Sequence, residues 1–302
     1  MPCDADSRRA ATGTEIETRQ VMTSRLYSLH VCFVAATLTC LPALAHAQQA
    51  APPAPEEHDA TALAKATQNP VGDLVSLPFQ FNFNNGGDLG DRTLFNLNFQ
   101  PVIPFSVSTS WNLIARTIIP VNSIPSSDGT TSFSGVGDIQ EELFFTPKKP
   151  GALIWGIGPI VSLPTSTIPT ARTGSWGLGP AGVVLKMTGP WVLGGLVTQT
   201  WTFQDDGTDP KVDSFLLQPF VNYNFGKGWA LAFGPNITAN WEAPSGQEWT
   251  IPVGLGISRT TVLGTRPMQL AMQYYYNAKR PDGSAASLLR IVVSLLYPTR
   301  KH

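Results

Sequence analysis

The residues that carry most enzyme chemistry are confined to the ends of this chain. Its cysteines are Cys3, Cys32 and Cys40, and its histidines are His30, His46, His58 and His302. Between them lies a long stretch with neither type. Thiolate nucleophiles, disulfides and thiolate metal sites have no residues to use there. Imidazole bases, imidazole metal ligands and Ser-His-Asp relays lack their central group. A carboxylate-only hydrolase survives in principle, but hydrolytic barrels resemble designs that use histidine. The expectation is no enzyme, no cofactor and no metal.

What that stretch does hold is a sparse set of charges. Arg116, Asp138, Glu142, Lys186 and Arg290 are placed inside the molecule by their parity with Asn112, Ser294 and similar neighbours. Two readings stand for them: a constriction that selects solutes, or a salt-bridge network that plugs and stiffens a narrow lumen. The second is preferred. Glu141 and Glu142 are adjacent, so on a strand they point to opposite faces. A charge facing lipid at mid-depth costs about 2–4 kcal/mol if basic and somewhat less if acidic. Glu141 is therefore expected near an interface, beside a bulge or against another protein surface.

Asp88, Asp91, Asp128, Asp205, Asp206 and Asp209 collect on loops. Asp205-Asp206-Gly207-x-Asp209 superficially resembles a calcium loop but lacks the full spacing and the closing glutamate. A solvated loop, or loose contact with lipopolysaccharide-bound cations, is the better reading. Gly135-x-Gly137 and Gly254-x-Gly256 are not nucleotide motifs, because no helix follows them; in strands such glycines let a barrel bend or keep its lumen clear.

These residues must be positioned by strands. Of 302 residues, 42% are hydrophobic but only 14% charged, where a soluble domain carries roughly a quarter. Composition alone leaves a soluble β-sandwich open. From Leu74 onward the period is two. Trp229, Leu231, Phe233, Pro235, Ile237, Ala239 and Trp241 alternate with Ala230, Ala232, Gly234, Asn236, Thr238 and Asn240. The polar faces carry amides, hydroxyls and glycine instead of Lys and Glu, which suits a barrel interior and not a soluble outer face. The net charge of −1 gives no reason to expect nucleic acid as a partner.

About twelve segments follow this rule: 74–84, 93–104, 111–121, 135–146, 152–163, 175–187, 191–203, 214–225, 229–241, 248–260, 267–277 and 286–297. Each is near the roughly 9–11 residues a tilted strand needs to cross a bilayer. Short connections (105–110, 147–151, 188–190, 226–228, 261–266) alternate with generally longer polar ones (85–92, 122–134, 164–174, 204–213, 242–247, 278–285). Short periplasmic turns and long outer loops are the outer-membrane pattern, and an even strand number follows. Trp111, Trp191 and Trp229 follow short turns, and Trp176, Trp201, Trp241 and Trp249 flank longer loops. Both edges of a barrel would thus carry an aromatic girdle.

Ahead of the strands, Arg25, the apolar run Leu29 to Leu44 and Ala45-His46-Ala47 form a secretory signal over 22–47, with cleavage after Ala47. Cys40 lacks the flanks of a lipidation site, and the run is short for a spanning helix. Residues 1–21 are acidic where a signal should be basic, so translation is expected to start at Met22. Residues 48–72 read as an Ala/Pro-rich linker with a short helix from Glu56 to Thr67, ended by Asn69-Pro70. The barrel takes 73–298. The basic tail 299–302 follows a terminal strand of the kind that barrel-assembly machinery reads.

Long blocks of the chain resemble one family. AKATQNPVGDLVSLPFQFNFN (Ala64–Asn84), FQPVIPFSVSTSWNLIARTIIPV (Phe99–Val121), GVGDIQEELFFTP (Gly135–Pro147), GPAGVVLKMTGPWVLGGLVTQTWTF (Gly179–Phe203), LQPFVNYNFGKGWAL (Leu217–Leu231) and PNITANW (Pro235–Trp241) are similar to the bacterial outer-membrane proteins linked to the meta-pathway of phenol degradation. That family is labelled as transporters and sometimes mislabelled "neuromedin U". The resemblance implies a barrel channel and associates it with aromatic compounds; it supplies no catalytic residues. The expectation is an all-β, antiparallel up-and-down transmembrane barrel of about twelve strands. It would be a passive outer-membrane channel for small solutes, aromatic or hydrophobic ones among them, with lipid bilayer and lipopolysaccharide as surroundings. The alternative is a closed structural or surface-interaction barrel.

Overall fold

The computed structural model describes residues 57–126, 131–169, 172–203, 211–264 and 266–298. The signal segment with Ala45 and Ala47, the tail, and Asp128, Asp205, Asp206 and Asp209 lie outside these. The described chain opens with helix α1 (Glu57–Thr67), followed by strands β1 (Leu74–Asn85), β2 (Thr93–Phe99), β3 (Val102–Ser106), β4 (Trp111–Pro125), β5 (Ser132–Val136), β6 (Ile139–Pro147), β7 (Ile154–Leu163) and β8 (Gly177–Thr188). After these come β9 (Trp191–Thr202), β10 (Asp213–Gly226), β11 (Trp229–Phe233), β12 (Ile237–Asn240), β13 (Trp249–Leu263), β14 (Arg266–Lys279) and β15 (Ser287–Pro298).

All pairings are antiparallel, and the sheet closes on itself: β1 pairs β15, and β9 pairs β10. Three staves are each built from two consecutive segments, β2 with β3, β5 with β6 and β11 with β12, giving a closed barrel of twelve staves. Each break has a local cause. Pro101 has no N–H to offer the ladder. At Gly137–Asp138 the register slips, so that Ile119 and Pro120 of β4 face Gly137, Asp138 and Ile139, a bulge. Gly234-Pro235-Asn236 interrupts the stave of β11 and β12 without changing its register against β10.

Closure leaves no edge and satisfies the backbone without water. The turn at Lys227 (φ 52) and Gly228 (φ 76) has both central residues left-handed, the primed hairpin geometry. The twelve expected segments match the staves within a few residues, and the short and long connections alternate as expected.

The two faces are chemically inverted relative to a soluble protein. Ile157, Leu178, Val197, Val253, Leu255, Met272, Tyr274 and Tyr276 point outward and are exposed, while Asn82, Asn112, Thr198, Asn222, Thr260, Arg290 and Ser294 are buried inside. Such an exterior requires hydrocarbon around it. No described helix is long and apolar enough to cross a membrane; the apolar exterior is carried by the strands.

The N-terminal segment enters the barrel from the short-turn end. Its helix is Ala-rich and stops before Asn69-Pro70. Lys65 Nζ donates to the carbonyl of Gly189 at 2.7 Å in the β8–β9 turn. Gln68 and Asn224 exchange hydrogen bonds of 3.0 and 3.1 Å, and Gln269 donates to Thr67 Oγ1 at 2.9 Å. Val71 is 4% exposed and sits in an apolar cluster with Ile114, Phe144, Ile160, Val183, Leu185 and Leu196. Gly156 makes room for it: a Cβ there would lie 3.2 Å from Val71 Cγ1.

Candidate lumen constriction

Above this wedge the lumen divides into two chambers. The lower, about 210 Å³, is bounded by residues 66–70 and by Ser76, Val102 and Phe220. The upper, about 490 Å³, opens toward the long loops and is lined mostly by amides and hydroxyls such as Asn98, Gln140, Thr198, Thr200, Asn236 and Thr238. The linings share Gln100, Arg116 and Gln218, and these form the neck between them.

Strand register brings the neck together. Arg116 on β4 lies opposite Val102 on one side and Glu142 of β6 on the other. Arg116 Nη1 meets Glu142 Oε2 at 2.8 Å, and Nη2 donates to Gln100 Oε1 at 3.0 Å. The two charged side chains are 14% and 3% exposed. Each ion therefore has its counter-charge within hydrogen-bond distance, which is what makes burial of either tolerable. At the outer mouth the Glu248 carboxylate accepts from the Gly246 amide with both oxygens at 3.0 Å. Its own backbone amide and that of Gly246 hold it below the usual carboxylate range.

Arg290 occupies a different wall. It is 4% exposed, and its Nε donates to Asn82 Oδ1 at 3.1 Å and Nη1 to the Gly234 carbonyl at 3.2 Å. Its guanidinium lies 5.5 Å from the centroid of the Tyr275 ring, and Tyr275 Oη accepts from the Gly234 amide at 3.1 Å. Arg290 and Tyr275 thus fill the ladder gap opened by Pro235. From Asn82 an amide chain continues along one register row: Asn82 donates to Asn96 Oδ1 at 2.9 Å, and Asn96 to Asn122 Oδ1 at 2.7 Å.

Two of the expected lumen charges are elsewhere. Asp138 sits in the bulge and accepts from the Ser166 amide at 2.9 Å and from Thr173 Oγ1 at 2.7 Å, so it ties down the following long loop. Lys186 faces outward. In β8 it is Ala181, Val183 and Leu185 that are buried, and Lys186 is exposed opposite Leu193 near the short turn. The glycine-rich start of β8, Gly177 to Gly182, carries too few large side chains to set the phase of Lys186. Gln100 and Gln218 were missed. Only their phase with Asn98 and Asn222 signalled an inward direction, and amides have no charge to draw attention.

The tryptophans occupy stave ends. Trp111, Trp176, Trp191, Trp201 and Trp241 are exposed. Trp241 and Trp249 pack edge to face at 5.3 Å, and Trp229 carries the Arg259 guanidinium 5.1 Å from its ring centroid. Glu141 points outward midway along its stave, beside the bulge, where Thr117 Oγ1 donates to it at 2.6 Å. Replacing both with apolar residues (Glu141→Leu with Thr117→Val) is expected to raise the barrel's resistance to urea by about 1–2 kcal/mol. A loss of stability would show instead that the carboxylate has a partner outside the chain.

No protein-family model and no curated protein matches the chain. Among solved structures, an outer membrane channel from Pseudomonas putida F1 is similar with a TM-score of 0.56 and 14% identity, covering 74% of this chain and 94% of that one. The outer membrane phospholipase A of Escherichia coli gives a TM-score of 0.39 at 10% identity, over 78% of this chain and 97% of its own. The CymD monoaromatic hydrocarbon channel gives 0.37 at 10% identity, over 81% and 92%. The first of these shares the fold with this chain.

Proposed function

We propose that this chain is a passive channel of the bacterial outer membrane for small solutes, with its signal removed after Ala47. The observation that carries the reading is the pair of chambers meeting at Gln100, Arg116 and Gln218. A barrel built only as a scaffold has no need to keep a polar lumen of this size. The inward row of amides supports passage without chemistry, since it offers hydrogen bonds to a solute but no nucleophile or base. The sequence resemblance to the phenol meta-pathway family favours aromatic or hydrophobic solutes, and the partly apolar lower chamber, with Val102, Leu196 and Phe220, is compatible with them. Barrel-assembly machinery and lipopolysaccharide are the expected partners during and after insertion.

One observation favours the alternative, a closed barrel. Val71 is buried in the apolar cluster at the short-turn end, and the paired Arg116 and Glu142 stand above it, Arg116 at the neck. Planar-bilayer recording separates the two readings. The channel reading expects small, steady conductance steps that vary little with voltage. Silence across repeated reconstitutions, with insertion verified by protease protection, supports the closed barrel.

A further inference from the structure

Among the described residues the short-turn edge carries Lys148, Lys149, Lys186, Lys227, Arg259 and Arg266 with Asp73, whereas the long-loop side mixes Asp88, Asp91, Glu242, Glu248 and Asp282 with Arg92, Arg172, Lys211, Lys279 and Arg280. From Gly177 to Lys279 the only described carboxylates are Asp213, Glu242 and Glu248, all at the long-loop end. Over the same arc, the short-turn edge carries Lys186, exposed and outward near the β8–β9 turn, Lys227 at the tip of the β10–β11 turn, and Arg259, exposed over Trp229. Lys227 and Arg259 are neighbours there, because Arg259 pairs Trp229 directly after the β10–β11 turn, whereas Lys186 stands apart in the register row of Leu193 and Val221; beside them is the ring pair Trp191–Tyr223, whose centroids are 4.7 Å apart.

From Lys227 and Arg259 toward the long-loop end, the outer wall is hollowed. A groove of about 500 Å³ runs over Trp191, Val221, Tyr223, Leu231, Phe233 and Leu255, and its lining is almost wholly apolar. It forms where the pairing of β11 with β13 ends at Ala232 opposite Gly256 and resumes only at Thr238 opposite Thr250. An apolar slot continuous with a cationic rim matches a molecule with a hydrocarbon chain and an anionic head.

We propose that this face binds one anionic phospholipid of the periplasmic leaflet, of the phosphatidylglycerol type. Its phosphate lies between Lys227 and Arg259, and an acyl chain lies in the groove against Leu231 and Leu255. The proposal rests on the reading of the chain as an outer-membrane barrel, though not on its being a channel. Each basic side chain near an anionic surface contributes about five-fold in affinity, and the chain's contact with the groove adds selectivity over bulk lipid.

The test is native mass spectrometry of the full mature chain released from nanodiscs holding equal amounts of phosphatidylglycerol and phosphatidylethanolamine. Retained phosphatidylglycerol is expected to exceed phosphatidylethanolamine by about ten-fold or more. The variant K227N/R259Q brings the two near parity; Asn at position 227 tolerates the left-handed backbone. Filling the groove with Leu255→Trp lowers retention of phosphatidylglycerol, while the distant pair K148Q/K149Q leaves it unchanged. Equal retention of both lipids by the unmodified protein overturns the proposal. So does an unchanged preference in the double variant, an equal loss in the Lys148/Lys149 control, or full competition by chain-free glycerol phosphate. Heat-modifiable migration on gels establishes that each variant is folded, and R259Q alone serves if the double variant is not. Failure of the unmodified chain to enter bilayers at all would overturn the outer-membrane reading itself, a result distinct from loss of lipid preference.

Discussion

Deleting residues 57–72 raises single-channel conductance several-fold while the barrel still migrates as a folded, heat-modifiable species. The N-terminal segment is held in the short-turn mouth by few contacts: Lys65 to the Gly189 carbonyl, the Gln68–Asn224 pair, Gln269 to Thr67 and the burial of Val71. Burying a valine is worth about 1.5 kcal/mol or a little more, and each hydrogen bond about 1 kcal/mol net. Against this stands the ordering of the segment, at about 1–2 kcal/mol per fixed residue. The wedge is therefore marginal by comparison with the barrel, whose staves share long continuous ladders. Removing it converts the lower chamber from a pocket closed by residues 66–70 into an open mouth. A point variant, Val71→Asp, reproduces part of the gain, because a carboxylate cannot stay among Ile114, Phe144 and Leu185 without losing its hydration. Unchanged conductance in both would place the limiting resistance at the neck, with the segment having no part in flow.

Much of this architecture is visible in the chain itself, and the reason is geometric. Alternation has a period of two only if both faces differ, and here hydrocarbon outside and amides inside make them differ along every stave. Met272, Tyr274 and Tyr276 against Gln273, Tyr275 and Asn277 are an example; the register against β15 then places Gln273 beside Arg290. Parity also put Arg116 and Glu142 inside. What it could not supply was their adjacency, which depends on the register of β4 against β6, fixed by the turn between them and by the bulge at Asp138. The bulge also took Asp138 out of the lumen, since one inserted residue turns every later side chain to the other face. Lys186 was misplaced for a related reason: Gly177-Leu178-Gly179-Pro180-Ala181-Gly182 offers too few large side chains to set a phase. The helix was foreseen from its composition, but its insertion into the lumen was not. That insertion depends on Gly156 leaving space for Val71, a contact between residues far apart in sequence.

The second large effect concerns the ion pair at the neck. Glu142→Ala leaves Arg116 with only Gln100 as a partner, and Arg116→Ala leaves Glu142, at 3% side-chain exposure, with none of its charge compensated. Removing one member of a buried pair costs about 3–5 kcal/mol; the lower end is expected for Glu142→Ala, because Arg116 borders both chambers and can recruit water. Replacing both at once with residues of similar volume, Arg116→Met with Glu142→Leu, leaves stability nearly unchanged, since the cost of dehydrating two ions disappears with their attraction. Urea unfolding of the singles and the double measures this, and the coupling between them is the difference from additivity. The same variants separate stiffening from selection. A lone arginine in the neck draws anions and a lone glutamate draws cations, so in a salt gradient the reversal potential shifts in opposite directions for Glu142→Ala and Arg116→Ala. If both singles lose stability while the reversal potential stays put, the pair holds the wall together and the solute path runs elsewhere. If the potential moves with the remaining charge, the neck of Gln100, Arg116 and Gln218 is where solutes are sorted. The neutral double variant then passes uncharged molecules faster than either ion, because nothing at the neck is left to bind one.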